Sequence, residues 1–79
     1  MKEARLRWQC RRGMRELDVL LESFLHQGYP QADDGQKQAF RELLSLSDPE
    51  LVGYLLHGRK PRDSAIAAIV EKIRERPQT

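Results

Sequence analysis

Cysteine is almost missing from this sequence, long apolar runs are missing altogether, and each shortage removes a class of protein. Cys10 is the only cysteine, so an intrachain disulfide or a thiolate zinc site is impossible and a small secreted disulfide scaffold is excluded. No apolar stretch approaches the roughly 20 residues that a membrane-spanning helix needs. His26 and His57 are far apart, and neither has a Cys, Asp or second His at ligand spacing, which argues against a metal centre. There is no Gly-x-Gly-x-x-Gly and no Walker lysine loop, so the usual phosphate cradles are absent. Arg7, Arg11 and Arg12 crowd around Cys10, yet no histidine stands close enough to activate its thiol. It reads as a half-buried structural cysteine. These gaps point away from an enzyme and away from any tightly bound cofactor.

What remains is enough for one small fold. Seventy-nine residues, 39% hydrophobic and 33% charged, form a single domain over 1–79 with one modest core. The net charge of +2 conceals a pattern. Residues 1–15 carry six basic side chains against Glu3, residues 16–58 are acidic, and residues 59–79 are basic again. The N-terminal arginines have the flavour of a mitochondrial presequence, but Glu3 is acidic and serines are absent, so no targeting peptide is read there.

Apolar spacing predicts helices throughout and no strands. Glu3 to about Cys10 forms a short helix with Leu6 and Cys10 at i, i+4, closed near Gly13. Met14 to His26 is the longest, with Met14, Leu17, Leu21, Phe24 and Leu25 in one stripe broadened by Val19 and Leu20. Gly28, Tyr29 and Pro30 end it. Asp33 or Asp34 caps a third helix that carries Ala39, Phe40, Leu43 and Leu44. A fourth begins either at the capping box Ser47-x-x-Glu50 or with Asp48 as cap and Pro49 in the first helical position, and is stopped by Gly58. After the basic turn Arg59-Lys60-Pro61-Arg62, Asp63 or Ser64 opens a last helix, with Ile66, Ile69, Val70 and Ile73 facing the core until Pro77. The expected architecture is an all-α, compact single-domain bundle of about five short helices. The capped helices show no heptad repeat, so a monomer is expected, with Cys10 available for an adventitious crosslinked dimer.

One segment does not read as ordinary helix sequence. In Arg11-Arg12-Gly13-Met14-Arg15-Glu16-Leu17-Asp18, Arg12 precedes Glu16 by four residues, the less favourable order for a helical ion pair. Arg15 sits in a first turn, where the helix dipole disfavours positive charge. Gly13 serves a turn with φ > 0 and also leaves a helix corner bare for close approach by another molecule.

This Arg12-Gly13-x-x-Glu16 element, with Trp8 upstream and the later run Leu46-Ser47-Asp48-Pro49-Glu50-Leu51, resembles the small assembly factors of succinate dehydrogenase. The resemblance covers about Leu6 to Pro61, with 63–76 a helical tail, and Tyr54 departs from a tryptophan often found there. It implies a chaperone-like factor that promotes covalent attachment of FAD to the flavoprotein subunit of succinate dehydrogenase, and possibly of fumarate reductase. In that family the bond joins a flavoprotein histidine to the 8α-methyl of FAD, so the factor assists flavinylation rather than catalysing it. It would act on a partner that carries FAD without holding the cofactor tightly itself. By the same resemblance Arg12, Gly13 and Glu16 are the partner-binding residues, with Trp8, Met14, Arg15 and Asp18 as flanking contacts. Arg12 would pair with the partner, and Glu16 would orient Arg12 or meet a cation across the interface. The expected form is bacterial and cytoplasmic, without membrane insertion.

The alternative is a small helical nucleic-acid-binding or antitoxin-type regulator, using the basic N-terminal segment and Arg59-Lys60-Pro61-Arg62 against phosphates. Glu16, Asp18 and Glu22 would repel a duplex along the second helix, so no nucleic acid is expected.

Overall fold

A computed structural model describes residues 2–75. Five α-helices follow in order: α1 Lys2–Gln9, α2 Arg15–Gln27, α3 Asp34–Leu44, α4 Asp48–Leu55 and α5 Ser64–Glu75, with a single 3₁₀ turn, Tyr29–Gln31, between α2 and α3. The all-α expectation holds. The close of the last helix at Pro77 lies outside the described residues.

α2 is central because its stripe is wide. Leu17, Leu20, Leu21, Phe24 and Leu25 are all buried, and α2 touches α1, α4, α5 and the 3₁₀ turn, while α3 lies mainly against α5. Ala39, Phe40, Leu43 and Leu44 of α3 close the core with Leu51 and Leu55 of α4 and Ile69, Val70 and Ile73 of α5. Phe24 and Phe40 stack tilted at 4.9 Å between ring centroids, and Tyr29 extends the stack to Phe40 at 5.6 Å. Val19, expected to broaden the stripe, is 44% exposed instead. It lies between Leu17 and Leu21 in sequence but about 160° from their side of the helix.

The chain's own polar groups settle the helix starts. Asp33 caps α3: it accepts from the Gln36 N–H at 2.8 Å while Gln36 returns the bond to the Asp33 N–H. Ser47, not Asp48, caps α4, in a reciprocal box with Glu50. This frees the Asp48 carboxylate, in the first turn of α4, for another partner. Asp63 accepts from the N–H groups of Ala65 and Ile66 at the head of α5. α4 ends earlier than expected, at Leu55; the chain makes a further turn before Gly58 takes φ +77°.

Candidate functional site

The corner between α1 and α2 is built differently from the other junctions. Gly13 has φ +83°, a left-handed conformation that costs other residues about 1–2 kcal/mol. Met14 occupies the N-cap of α2 in extended conformation and gives no side-chain bond. The Asp18 carboxylate, in the first turn of α2, reaches back instead to accept the Arg12 N–H at 2.7 Å, which ties the corner's backbone to the helix. Asp18 is thus half-buried at the corner.

Arg12 holds the corner from inside. Its side chain is only 18% exposed. Nε donates to the carbonyl of Gln9, the last residue of α1, at 2.9 Å. One terminal nitrogen donates to the carbonyl of Leu44, the last residue of α3. The other donates to the Leu46 carbonyl at 3.4 Å and pairs with Asp48 Oδ1 at 3.2 Å. Carbonyls at helix C-termini lack intrahelical partners and carry the negative end of the helix dipole. A single guanidinium therefore satisfies the ends of α1 and α3 and neutralises a carboxylate at the start of α4. Five donors in a fixed plane suit this task as a lysine would not. The expectation that Glu16 orients Arg12 is not met: Arg12 finds its partners in Gln9, Leu44, Leu46 and Asp48. The two sequence segments that carry the resemblance, around Arg12 and around Asp48, meet at this contact.

With Arg12 turned inward, other groups of the segment face solvent. Trp8 is 73% exposed, the most exposed large apolar side chain of the described residues. Leu6 and Cys10, at i, i+4, point to the core, which sends Trp8 to the far side of α1. Arg15 and Glu16 are exposed and have no side-chain hydrogen bond or ion pair among the described residues. Met14 is half-buried against the core. A Cβ placed on Gly13 would meet nothing within 4 Å. The glycine is required by backbone conformation, and the space in front of it is open.

Beneath the corner, Cys10 is fully buried. Desolvation, with the nearby Glu22 and Asp18 charges, pushes its thiol up to about 12, against a smaller lowering by Arg12. This replaces the half-buried cysteine expected from sequence and removes the thiol from intermolecular crosslinking while the protein is folded. Arg11 lies 3.4 Å from Glu22 with 60% of its side chain exposed, a surface pair worth at most about 1 kcal/mol.

The basic turn after α4 is partly engaged within the fold. The Arg59 N–H donates to Gly53 O at 2.9 Å, and its guanidinium lies 5.6 Å from the Tyr54 ring centroid. Among the described residues, no group of three or more His, Cys, Asp or Glu side chains is placed to hold a metal, and no helix is long and apolar enough to cross a membrane.

Comparison with known proteins points in one direction. Residues 4–77 match the family described as flavinator of succinate dehydrogenase, beyond the Leu6 to Pro61 stretch on which the resemblance rests. A protein of Methylococcus capsulatus named FAD assembly factor SdhE is 44% identical over 73 residues, covering 92% of this chain and 88% of that protein. A protein of the same name from Yersinia pseudotuberculosis is 42% identical over 74 residues, covering 94% and 84%. Another from Idiomarina loihiensis is 44% identical over 66 residues, covering 84% and 73%.

Proposed function

The chain belongs to the family of succinate dehydrogenase flavinators, and on that premise we propose that it is an FAD assembly factor, binding the flavoprotein subunit of succinate dehydrogenase and promoting covalent attachment of FAD. The flavoprotein of fumarate reductase is proposed as a second client. The factor acts as a cytoplasmic monomer without a catalytic side chain of its own.

One observation carries the docking surface. Around an open, left-handed Gly13 the chain exposes an indole, Trp8, and two charges with no ion pair among the described residues, Arg15 and Glu16, while Arg12 fixes their scaffold from beneath. Tryptophan and arginine are enriched among residues that dominate binding energy. Gly13 permits close backbone approach, Met14 lies at the edge of the patch, and Arg15 and Glu16 meet charges of opposite sign on the partner. Arg12 and Asp18 act by positioning. The regulator alternative is set aside by the family assignment.

A binder with no catalytic group promotes a reaction in its partner through populations. By preferring the flavoprotein conformation in which FAD and the acceptor histidine are aligned, it raises the fraction able to react. A preference of about 1.4 kcal/mol raises the ratio of competent to other conformers tenfold. The test is covalent flavin fluorescence of the flavoprotein on a denaturing gel, in cells with the wild-type gene, a deletion, or Gly13→Arg. Loss in the deletion and in a stably folded Gly13→Arg protein is expected. Unchanged flavinylation in the deletion would overturn the reading.

A further inference from the structure

A second feature borders this surface and is not explained by the fold. Arg5, Leu6 and Gln9 of α1, with Tyr29 and Arg41, line a groove of about 370 Å³. Its floor is firm. Tyr29 stacks on the buried Phe40, and its hydroxyl accepts from Arg41 at 2.9 Å. Lys37 lies 5.4 Å from the centroid of the Tyr29 ring. Lys37 and Arg41 are therefore like charges at i, i+4 on one face of α3, an arrangement that disfavours an isolated helix. Arg5 adds a third cation from α1.

Among the described residues no carboxylate lies within ion-pair distance of any of the three; the only salt bridges are Arg11 to Glu22 and Arg12 to Asp48. Of the acids on and beside α3, Glu42 accepts from Gln38 and Asp33 caps the helix, while Asp34, three residues before Lys37, forms no ion pair with it among the described residues. Stability would favour one carboxylate paired with these cations, and none is paired with them among the described residues. On α1 the groove residue Arg5 precedes the exposed Trp8 by three positions, so the two neighbour each other on the helix surface. The groove thus continues the docking patch.

We propose that this groove receives an acidic segment of the flavoprotein partner, whose carboxylates are held by Arg5 and Arg41 with Lys37 adding to the field, and that it steers the encounter while Trp8 and the Gly13 corner fix the docked complex. The proposal rests on the flavoprotein-docking reading and goes beyond it by assigning the partner's contacting chemistry. Guanidinium groups favour carboxylates through paired N–H donors. Charges at an interface rim act mainly on the association rate and its salt dependence.

The experiment measures association of the purified flavoprotein subunit of succinate dehydrogenase with the full chain across a salt series. Arg5→Glu/Arg41→Glu is compared with Arg5→Gln/Arg41→Gln, with Gly13→Arg, and with a control of equal charge change outside the groove, Arg7→Glu/Arg62→Glu. Folding of each is checked by helical signal and urea midpoint. The glutamate pair is expected to slow association about tenfold or more at low salt and to flatten the salt dependence. The glutamine pair should move the same way by less, and decides the question if the glutamate pair fails to fold. The control should change the rate far less. If the groove variants bind as the wild type does while Gly13→Arg abolishes binding, the groove proposal falls and the docking reading stands. An equal slowing in the control reduces the effect to net charge and also overturns the groove. If the wild-type chain does not bind the flavoprotein, both fall together.

Discussion

The α3–α4 junction and the α1–α2 corner join helices over similarly short stretches of chain, yet the helix starts that follow them are stabilised in opposite ways. At the first, Ser47 and Glu50 exchange hydrogen bonds within four residues of sequence and the helix start is self-sufficient. At the second, the cap residue is Met14 with no side-chain bond, the turn needs φ +83° at Gly13, and Arg15 stands where the helix dipole opposes it. What the corner lacks locally it receives from Arg12, which ties it to Leu44, Leu46 and Asp48. A junction freed from capping itself can present its side chains outward, and the exposed Trp8, Arg15 and Glu16 lie here.

The largest effect should therefore follow from breaking the remote tie. Arg12→Ala leaves the carbonyls of Gln9 and Leu44 and the Asp48 carboxylate without their donor. We expect a loss of about 2–4 kcal/mol in urea unfolding, a large part of the roughly 5 kcal/mol margin of a domain this small. Arg12→Lys should recover only part of it, since one ammonium cannot reach all the acceptors. If Arg12→Ala unfolds like the wild type, the corner is held by something else and the contrast fails. Next in size is Gly13→Ala, expected to cost about 1–2 kcal/mol through the left-handed φ, with Gly13→Asn losing less. Equal costs for the two would mean that crowding, not backbone conformation, demands the glycine.

The self-capped junction should yield less. Ser47→Ala removes one hydrogen bond of the box and should cost about 1 kcal/mol, with no effect on flavoprotein binding. A pH series separates the two regions again. The buried Cys10 thiol is raised from 9.0 to about 12 in the fold, chiefly by desolvation. Below pH 9 the thiol is protonated in both states and its contribution is complete. Between pH 9 and about 12 the unfolded chain loses this proton while the folded chain keeps it, so stability falls as pH rises. Cys10→Ala should flatten that part of the unfolding profile. An identical alkaline decline in wild type and Cys10→Ala would assign it to other groups.

The helices and most of the core were legible because helical periodicity is a local signal: the stripes of α2, α3 and α5 follow from spacing alone. Caps were legible to within a residue, since Ser, Asp and Glu at fixed offsets name their own acceptors. Arg12 was not. Its distant acceptors lie 32, 34 and 36 residues away, two of them are main-chain carbonyls, and no residue type marks a carbonyl as waiting for a guanidinium. The motif marks a segment, but nothing in it tells which arginine faces outward. The groove was also illegible, because Arg5 and Arg41 come together only when α1 and the Tyr29 turn are in place.

Trp8 gives the smallest effect on folding and the sharpest test of the contrast. The indole is 73% exposed, so Trp8→Ala removes little packing and should change unfolding by no more than about 0.5 kcal/mol. The same substitution should weaken flavoprotein binding by about 2 kcal/mol, roughly thirtyfold, if the indole is an anchor at the interface. Arg12→Ala should lose both stability and binding if, as proposed, it acts on the partner through the shape of the corner. A stable, non-binding Trp8→Ala beside a destabilised Arg12→Ala would separate a residue that touches the partner from one that positions those that do. If Trp8→Ala binds normally, the anchor lies elsewhere on the exposed face, and Arg15 and Glu16 become the next residues to replace.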